Sequence, residues 1–306
     1  MPYYTRQDNE KLYVREFGQG QPVLVLSGLG MQSWQWLPFL YNLKNKYHFI
    51  IPDWRGFGRS KNCAIPKIDA ISSHWLDLNT LIEIKQLKQF KAIGYSMGAT
   101  TAMHGMKYGN LSQHLQSYLH IDQTPKISID ETWQYGLYGQ KQPEFKRLLK
   151  QISSFLNNHS DLQTFESLSL EKRQTLLNLW SEFITFQSSS KISPFLFKLA
   201  LKKPKLQKYV LPIHRLDYLA WYIDNYLYHN EDYRHAIASL CCPTTFFSGE
   251  QSTLYPVEGQ TLITQSIENS QQIIFKKSGH TLLMSEPIKF TKEIHQFLKA
   301  DICLKL

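Results

Sequence analysis

Short apolar runs rich in Val, Ile and aromatic residues recur along the chain, with patterns of mixed polarity between them. Pro22–Ser27 (PVLVLS), Tyr47–Pro52 (YHFIIP), Phe90–Tyr95 (FKAIGY), Ser117–Asp122 (SYLHID), Pro243–Ser248 (PTTFFS) and Gln271–Lys276 (QQIIFK) are such runs, and Lys11–Phe17 alternates. Continuous runs suit strands covered on both faces, as in a parallel sheet. Ser72–Leu87 places Trp75, Leu78, Ile82 and Ile84 at the spacing of an amphipathic helix. Pro287–Leu298 does the same with Ile288, Phe290, Ile294, Phe297 and Leu298. Strands alternating with helices predict βαβ crossovers, hence an α/β fold with a doubly wound, mostly parallel sheet.

The alternation breaks between Pro125 and about Tyr233. That span is too long for one crossover, and its pattern is mostly helical: Glu144–Asn157, Leu170–Phe186, Ile192–Leu201 and His214–Tyr228. It carries Trp133, Trp180 and Trp221 among many Tyr and Phe residues. We expect residues 125–233 to form a helical lid inserted into a core built from 1–124 and 234–306. No internal repeat or low-complexity tract interrupts this plan.

Composition narrows the class. With 42% hydrophobic and 19% charged residues over 306 positions, the chain can bury a large core and is not disordered. The 13% aromatic share furnishes a core and an aromatic-lined pocket. The formal net charge is +9, but the basic residues are scattered. Their one dense cluster, Lys198, Lys202, Lys203, Lys205 and Lys208, reads as a solvated face, so no nucleic-acid partner is expected. Cys63, Cys241, Cys242 and Cys303 form no CxxC and no zinc spacing, so no metal is expected; the adjacent pair before a strand reads as buried thiols. The N-terminus MPYYTRQDNEKLYV lacks the apolar core of a signal peptide, and no stretch reaches the roughly 18 apolar residues of a membrane span. The expectation is a soluble cytoplasmic protein acting on a small molecule without a cofactor.

The strongest chemical signal is IGYSMGA, Ile93–Ala99, lying after a strand-like run and before a helix-like one. Gly94-Tyr95-Ser96-Met97-Gly98 matches G-x-S-x-G in the strand–turn–helix context that the motif requires. The flanking glycines let helix and strand backbones approach, so the Ser96 hydroxyl leaves the sheet and the Met97 amide opens a helix, ready for a developing oxyanion. In LSGLGMQSW, Leu26–Trp34, Gly28 permits a tight turn, which makes the Leu29 amide a second oxyanion donor. PDWRGFGRS, Pro52–Ser60, is a glycine-rich loop with an embedded Arg. Ser96 needs a general base, and His280, in KKSGHTLLMSEP after the last strand and before the final helix, is the best placed of eleven histidines. His74, His104, His114 and His229 fall in helix-like stretches and read as surface or packing residues. Gly28 and Tyr95 beside the two turns, with Trp133 and Trp221 from the lid, are the expected substrate contacts.

Together these motifs resemble the α/β-hydrolase fold superfamily over nearly all of the chain outside the lid. The resemblance implies an oxyanion amide after the third strand, here Gly28-Leu29, and a D-x-R-G-x-G-x-S loop after the fourth, here Asp53–Ser60. It also implies the nucleophile after the fifth, Ser96, and the base after the last, His280. Ser27 departs from the family's usual His.

The triad acid is the open question. A carboxylate should fix the imidazole tautomer and stabilise the imidazolium. In the commonest family pattern it follows the strand after the lid, and that alignment puts Ser252 at the acid position of FFSGEQSTLYP. Glu250 lies two residues early. Asp122 ends the run SYLHID just before Thr124-Pro125, and a carboxylate there is costly to bury without a partner. Branches of the superfamily, certain haloalkane dehalogenases and the cofactor-free hydroxyquinolone dioxygenases among them, carry their acid after this strand. We favour Asp122 over Glu250.

The leading expectation is a serine hydrolase of an apolar ester, thioester or lactone, working through an acyl-serine. The second is a cofactor-independent, ring-cleaving dioxygenase of a hydroxyquinolone-like substrate. The resemblance weighs against it, because those enzymes carry His after the nucleophile-position Ser, where this chain has Met97. A dehalogenase is disfavoured because its nucleophile is Asp. A non-catalytic receptor for a small ligand is the third reading.

Overall fold

A computed structural model describes residues 3–6, 8–187 and 215–300. The helix expected over Ile192–Leu201, the lysine cluster and Cys303 lie outside the described residues. The strands are β1 (Tyr3–Thr5), β2 (Lys11–Gly18), β3 (Gln21–Leu26), β4 (Tyr47–Pro52), β5 (Phe90–Tyr95), β6 (Leu115–Ile121), β7 (Thr244–Gly249) and β8 (Ser270–Phe275). They form one eight-stranded sheet in the order β1-β2-β4-β3-β5-β6-β7-β8. β2 pairs antiparallel with β1 and β4, and every pairing from β4 through β8 is parallel.

The longer helices are α1 (Ala70–Ile84), α2 (Met97–Tyr108), α3 (Gln142–Asn157), α4 (Leu170–Gln187), α5 (Leu216–Tyr228), α6 (Val257–Gln265) and α7 (Pro287–Lys299). α1 starts two residues before the apolar pattern does, because the Asp69 carboxylate caps it by accepting from the Ser72 amide at 3.0 Å.

Side chains alternate across the sheet and divide the interior into two cores. Leu24, Leu26, Ile50, Ala92 and Phe246 face one side, where α1 and α2 bring Trp75, Leu78, Ala102 and Met103. Val23, Val25, Phe49, Ile51, Ile93, Leu119 and Phe247 face the other, under Phe290, Ile294 and Phe297 of α7. Both faces are covered, which is why the strands read as unbroken apolar runs. Residues of α3, α4 and α5 continue the first core, through Phe145, Leu149, Leu177 and Tyr222. No described helix is long and apolar enough to cross a membrane.

The adjacent cysteines are not the buried pair expected from sequence. Cys241 is exposed, Cys242 is partly buried, and both are free thiols, because the segment ahead of β7 in which they lie is not covered as the strand is.

Candidate active site

The chemistry gathers where β5, β6, β7 and β8 end. Ser96 leaves β5 with φ 51 and ψ −120, a conformation that non-glycine residues rarely adopt. Its amide donates to Ile121 O at 3.0 Å, tying the turn to the end of β6, and the residue is buried to 5% exposure. The turn needs its glycines. A Cβ on Gly98 would stand 2.2 Å from Leu26 O, and one on Gly94 would stand 2.8 Å from the Ala99 Cα.

His280 Nε2 lies 3.0 Å from Ser96 Oγ, and His280 Nδ1 lies 2.8 Å from Asp122 Oδ2. An ionised carboxylate only accepts, so Nδ1 carries the proton and Nε2 is left to accept the serine hydroxyl. Asp122 follows β6 with φ 41 and is fully buried. Its Oδ1 accepts from the Gly249 amide at 2.9 Å and from Gln260 Nε2 at 3.1 Å. Its Oδ2 also accepts from Ser252 Oγ at 2.8 Å. Glu250 is exposed, and its amide donates to Phe275 O at 3.1 Å. Of the two sequence candidates, Asp122 is the carboxylate that meets the imidazole.

Aromatic rings fix the imidazole. Tyr95 stacks on it with centroids 5.4 Å apart and donates its hydroxyl to the His280 carbonyl at 3.1 Å. Tyr255 meets the same ring edge-on, also at 5.4 Å. Burial first, and the Asp122 charge second, push the Tyr95 hydroxyl far above its ordinary range, so it stays neutral.

The amide of Met97 is the first of α2, a position whose N–H has no acceptor within its own helix. Gly28 presses the other turn against this one: a Cβ there would stand 3.3 Å from Ser96 Cβ and 3.1 Å from the Tyr95 ring. Ser27 Oγ accepts from Trp36 Nε1 at 3.0 Å, so its side chain is engaged in packing.

Ser96 and His280 open onto a cavity of about 390 Å³. Gly28 and Tyr95, two of the four expected substrate contacts, line it, and so does Leu29. Trp133 and Trp221, expected there too, stand elsewhere. Trp133 packs edge-on against Tyr135 and donates Nε1 to Thr124 Oγ1 at 3.1 Å. Trp221 lies on the face of α5 that meets α1, donating Nε1 to Ile68 O at 2.8 Å. The helical segment contributes other aromatic residues to the wall, Tyr138, Phe145, Trp180, Phe183 and Tyr226. Sequence reasoning also missed Gln260. It reaches Asp122 from 138 positions away, on a helix whose apolar pattern is weak.

The loop PDWRGFGRS is a structural tie. Asp53 accepts from the Ser33 amide at 2.7 Å and the Arg59 amide at 3.0 Å. Arg55 forks onto Asp77 at 2.9 and 3.0 Å, and Trp54 Nε1 donates to Ser27 O at 2.8 Å. None of these side chains lines the cavity. Among the described residues, no group of His, Cys, Asp and Glu side chains is arranged to hold a metal ion.

Several known proteins are similar to the chain over almost its whole length. Pimeloyl-[acyl-carrier protein] methyl ester esterase from Legionella pneumophila (strain Corby) is 22% identical over 94% of this chain and 99% of its own. The enzyme of that name from Vibrio parahaemolyticus is 25% identical over 94% and 97%. Among solved structures, an esterase from Exiguobacterium antarcticum superposes with a TM-score of 0.70 at 18% identity, covering 97% of this chain and 99% of that one. A family model described as the alpha/beta hydrolase fold matches residues 21–287. That match runs through the Ser96 turn and the His280 loop alike, and the chain belongs to the alpha/beta hydrolase fold family.

Proposed function

We propose that the protein is a serine hydrolase that cleaves a small or medium apolar ester, thioester or lactone. The observation that carries this reading is the unbroken path from Asp122 through His280 to Ser96, ending at an apolar cavity. The curated relatives named above are methyl ester esterases, which supports the ester over other bonds.

In the proposed mechanism, Ser96 Oγ attacks the ester carbonyl while His280 Nε2 takes its proton. Asp122 holds the Nδ1 proton and stabilises the imidazolium. The amides of Leu29 and Met97 receive the oxyanion, whose charge grows at the transition state. The intermediate collapses as His280 protonates the departing alcohol oxygen, leaving an acyl-Ser96. Water, giving its proton to His280, attacks that acyl group, and His280 returns the proton to Ser96 Oγ as the acyl bond breaks and the acid leaves. No step calls for a cofactor or a metal. Residues 125–233 act as the lid over the site, and the protein works in the cytoplasm on a small-molecule substrate.

The dioxygenase reading is the weaker one: Asp122 after β6 fits it equally, but Met97 stands where those enzymes carry His, and Asp53, Trp54 and Arg55 are spent on packing and loop ties. A receptor without turnover would have no use for an imidazole bonded to both a serine and a carboxylate.

The test is hydrolysis of a nitrophenyl ester by the wild type and by Ser96→Ala, with fluorophosphonate labelling of both. We expect turnover and labelling in the wild type and neither in the variant. Retained turnover in Ser96→Ala would reject the mechanism.

A further inference from the structure

A second cavity, of about 340 Å³, lies where the end of α5 meets the start of α1 and His104 of α2. Trp221, Asp224, Asn225 and Tyr228 recur at the spacing of one helical face, and all four line it. Trp221, expected beside Ser96, thus serves a different hollow. The two cavities share no lining residue.

Two nearly buried polar groups in this wall are unpaired. Asn225 is 6% exposed; its Oδ1 accepts from the Ile71 amide at 3.4 Å, and its Nδ2 has no partner among the described residues. His104 is 8% exposed; its Nδ1 is bonded to the Tyr233 hydroxyl at 2.9 Å, and its Nε2 is likewise without a partner among them. Neither atom is sealed in the packing, so water reaches each of them. Polar groups this far buried are nearly always paired, and these two point to a ligand.

His229, also in the wall, completes a short relay, with its Nε2 3.0 Å from the same Tyr233 hydroxyl. Burial lowers the pKa of both histidines, that of His229 to about 4, so both are uncharged in neutral solution. Tyr233 has one proton to give, so it donates to one imidazole and accepts from the other. The outer nitrogens, His104 Nε2 and His229 Nδ1, therefore comprise one N–H and one lone pair.

Carboxylates supply the charge. Asp69, Asp224 and Glu231 line the cavity, and among the described lining residues there is no Lys or Arg. Burial opposes the ionisation of Asp69 and Glu231, but hydrogen bonds from Ser72 and from Lys107 outweigh it, and both pKa values fall. Lys107 neutralises Glu231 at 2.7 Å. Asp69 accepts from the Ser72 amide at 3.0 Å and Asp224 from Ser153 Oγ at 2.7 Å, both neutral donors. The wall therefore repels anions and attracts cations, and Trp221 and Tyr228 add rings of the kind that bind cations over their faces. No group of His, Cys, Asp and Glu side chains among the described residues is arranged to hold a metal ion, which leaves an organic cation.

We propose that this cavity binds a small organic ammonium ion that carries hydroxyl groups. Asp69 and Asp224 attract the ammonium beside the two aromatic rings, and the Asn225 amide and the outer imidazole nitrogens bond the hydroxyls. The site stands apart from Ser96 and does not depend on the hydrolase reading.

The experiment is an NMR titration of the wild type, reading histidine ring resonances assigned with His104→Gln, His229→Gln and His280→Gln. The probes are serinol and glycerol, which differ only in an ammonium in place of the middle hydroxyl, with tetramethylammonium and acetate beside them. Serinol should move the His104 and His229 resonances, leave that of His280, and bind at least about tenfold tighter than glycerol. Asp224→Asn should bring serinol within about threefold of glycerol, while Asp224→Glu keeps the preference. Equal binding of serinol and glycerol, no binding of serinol, or shifts centred on His280 overturn the site. So does a preference that survives Asp224→Asn, or acetate binding as tightly as serinol. Tetramethylammonium, which has no N–H or O–H to give, should bind more weakly; parity with serinol overturns the hydrogen-bonded site. Should Asp224→Asn fail to fold, the wild-type ratio and resonances decide alone.

Discussion

Asp122 is one carboxylate with four donors. The Gly249 amide and Gln260 serve one oxygen, and Ser252 and His280 serve the other. The neutral donors offset the cost of burying the charge, and they fix the oxygen that the imidazole must meet. Asp122→Asn should lower kcat for a nitrophenyl ester by roughly 10³- to 10⁴-fold, as loss of a triad acid does. Glu250→Gln, on an exposed side chain, should leave kcat within about twofold. The opposite ranking in steady-state assays would return the acid to the loop after β7. Ser252 sharpens the point, because its hydroxyl reaches the very oxygen that His280 uses. Adding Ser252→Asp to Asp122→Asn should therefore restore kcat at least about tenfold, close to 1.4 kcal/mol of barrier. No recovery would mean that a carboxylate at 252 cannot face the imidazole.

At the scale of elements, the turn at Ser96 is a tight fit against the sheet. Gly98→Ala would drive a Cβ to 2.2 Å from Leu26 O, a backbone atom that cannot yield. We expect it to cost at least about 2 kcal/mol of stability in urea unfolding. Gly139→Ala meets only Pro256 Cγ at 3.4 Å and should cost about 1 kcal/mol, for its positive φ alone. Equal losses would refute the close-packing explanation. The strands from β2 to β8 were legible in the sequence to within a residue or two, β2 from its alternation and β3 to β7 from the unbroken apolar runs that burial on both faces leaves. β1 was not, since three mostly exposed residues make no such run. Ser96, His280 and Asp122 were legible because strand ends place them, whereas the cavity wall depends on which way a helix is turned. Trp221 and Tyr226 are five residues apart on α5, about 140° around the axis, so only one of them can face the cavity. Composition records the aromatic share of a segment and not its rotation.

The molecule as a whole carries an acid sensitivity unrelated to catalysis. His120 is fully buried in β6, between Tyr118 Oη at 3.2 Å and Gln123 O at 3.1 Å. Burial holds it neutral and pushes its pKa down to about 4, and burial does the same to His229. Unfolded histidine protonates near 6.5, so between about pH 6.5 and 4 the unfolded chain binds protons that the folded chain refuses. Stability is full above that window and falls with falling pH, by up to about 1.4 kcal/mol per pH unit for His120. Urea midpoints measured from pH 7 to pH 4.5 should decline, and His120→Gln should flatten part of the slope; an unchanged slope would remove His120 as its source. The position of the acid has a consequence of another kind. With Asp122 following β6, the proposed nucleophile, acid and oxyanion amides all precede the helical segment, while His280 lies 158 residues beyond the acid. A chain emerging from its N-terminus completes all of these groups long before it can activate Ser96, because serine without its base is a poor nucleophile. On the proposed mechanism, competence therefore waits for the histidine loop after β8, and a chain cut short after β7 should keep Ser96 yet show no ester hydrolysis.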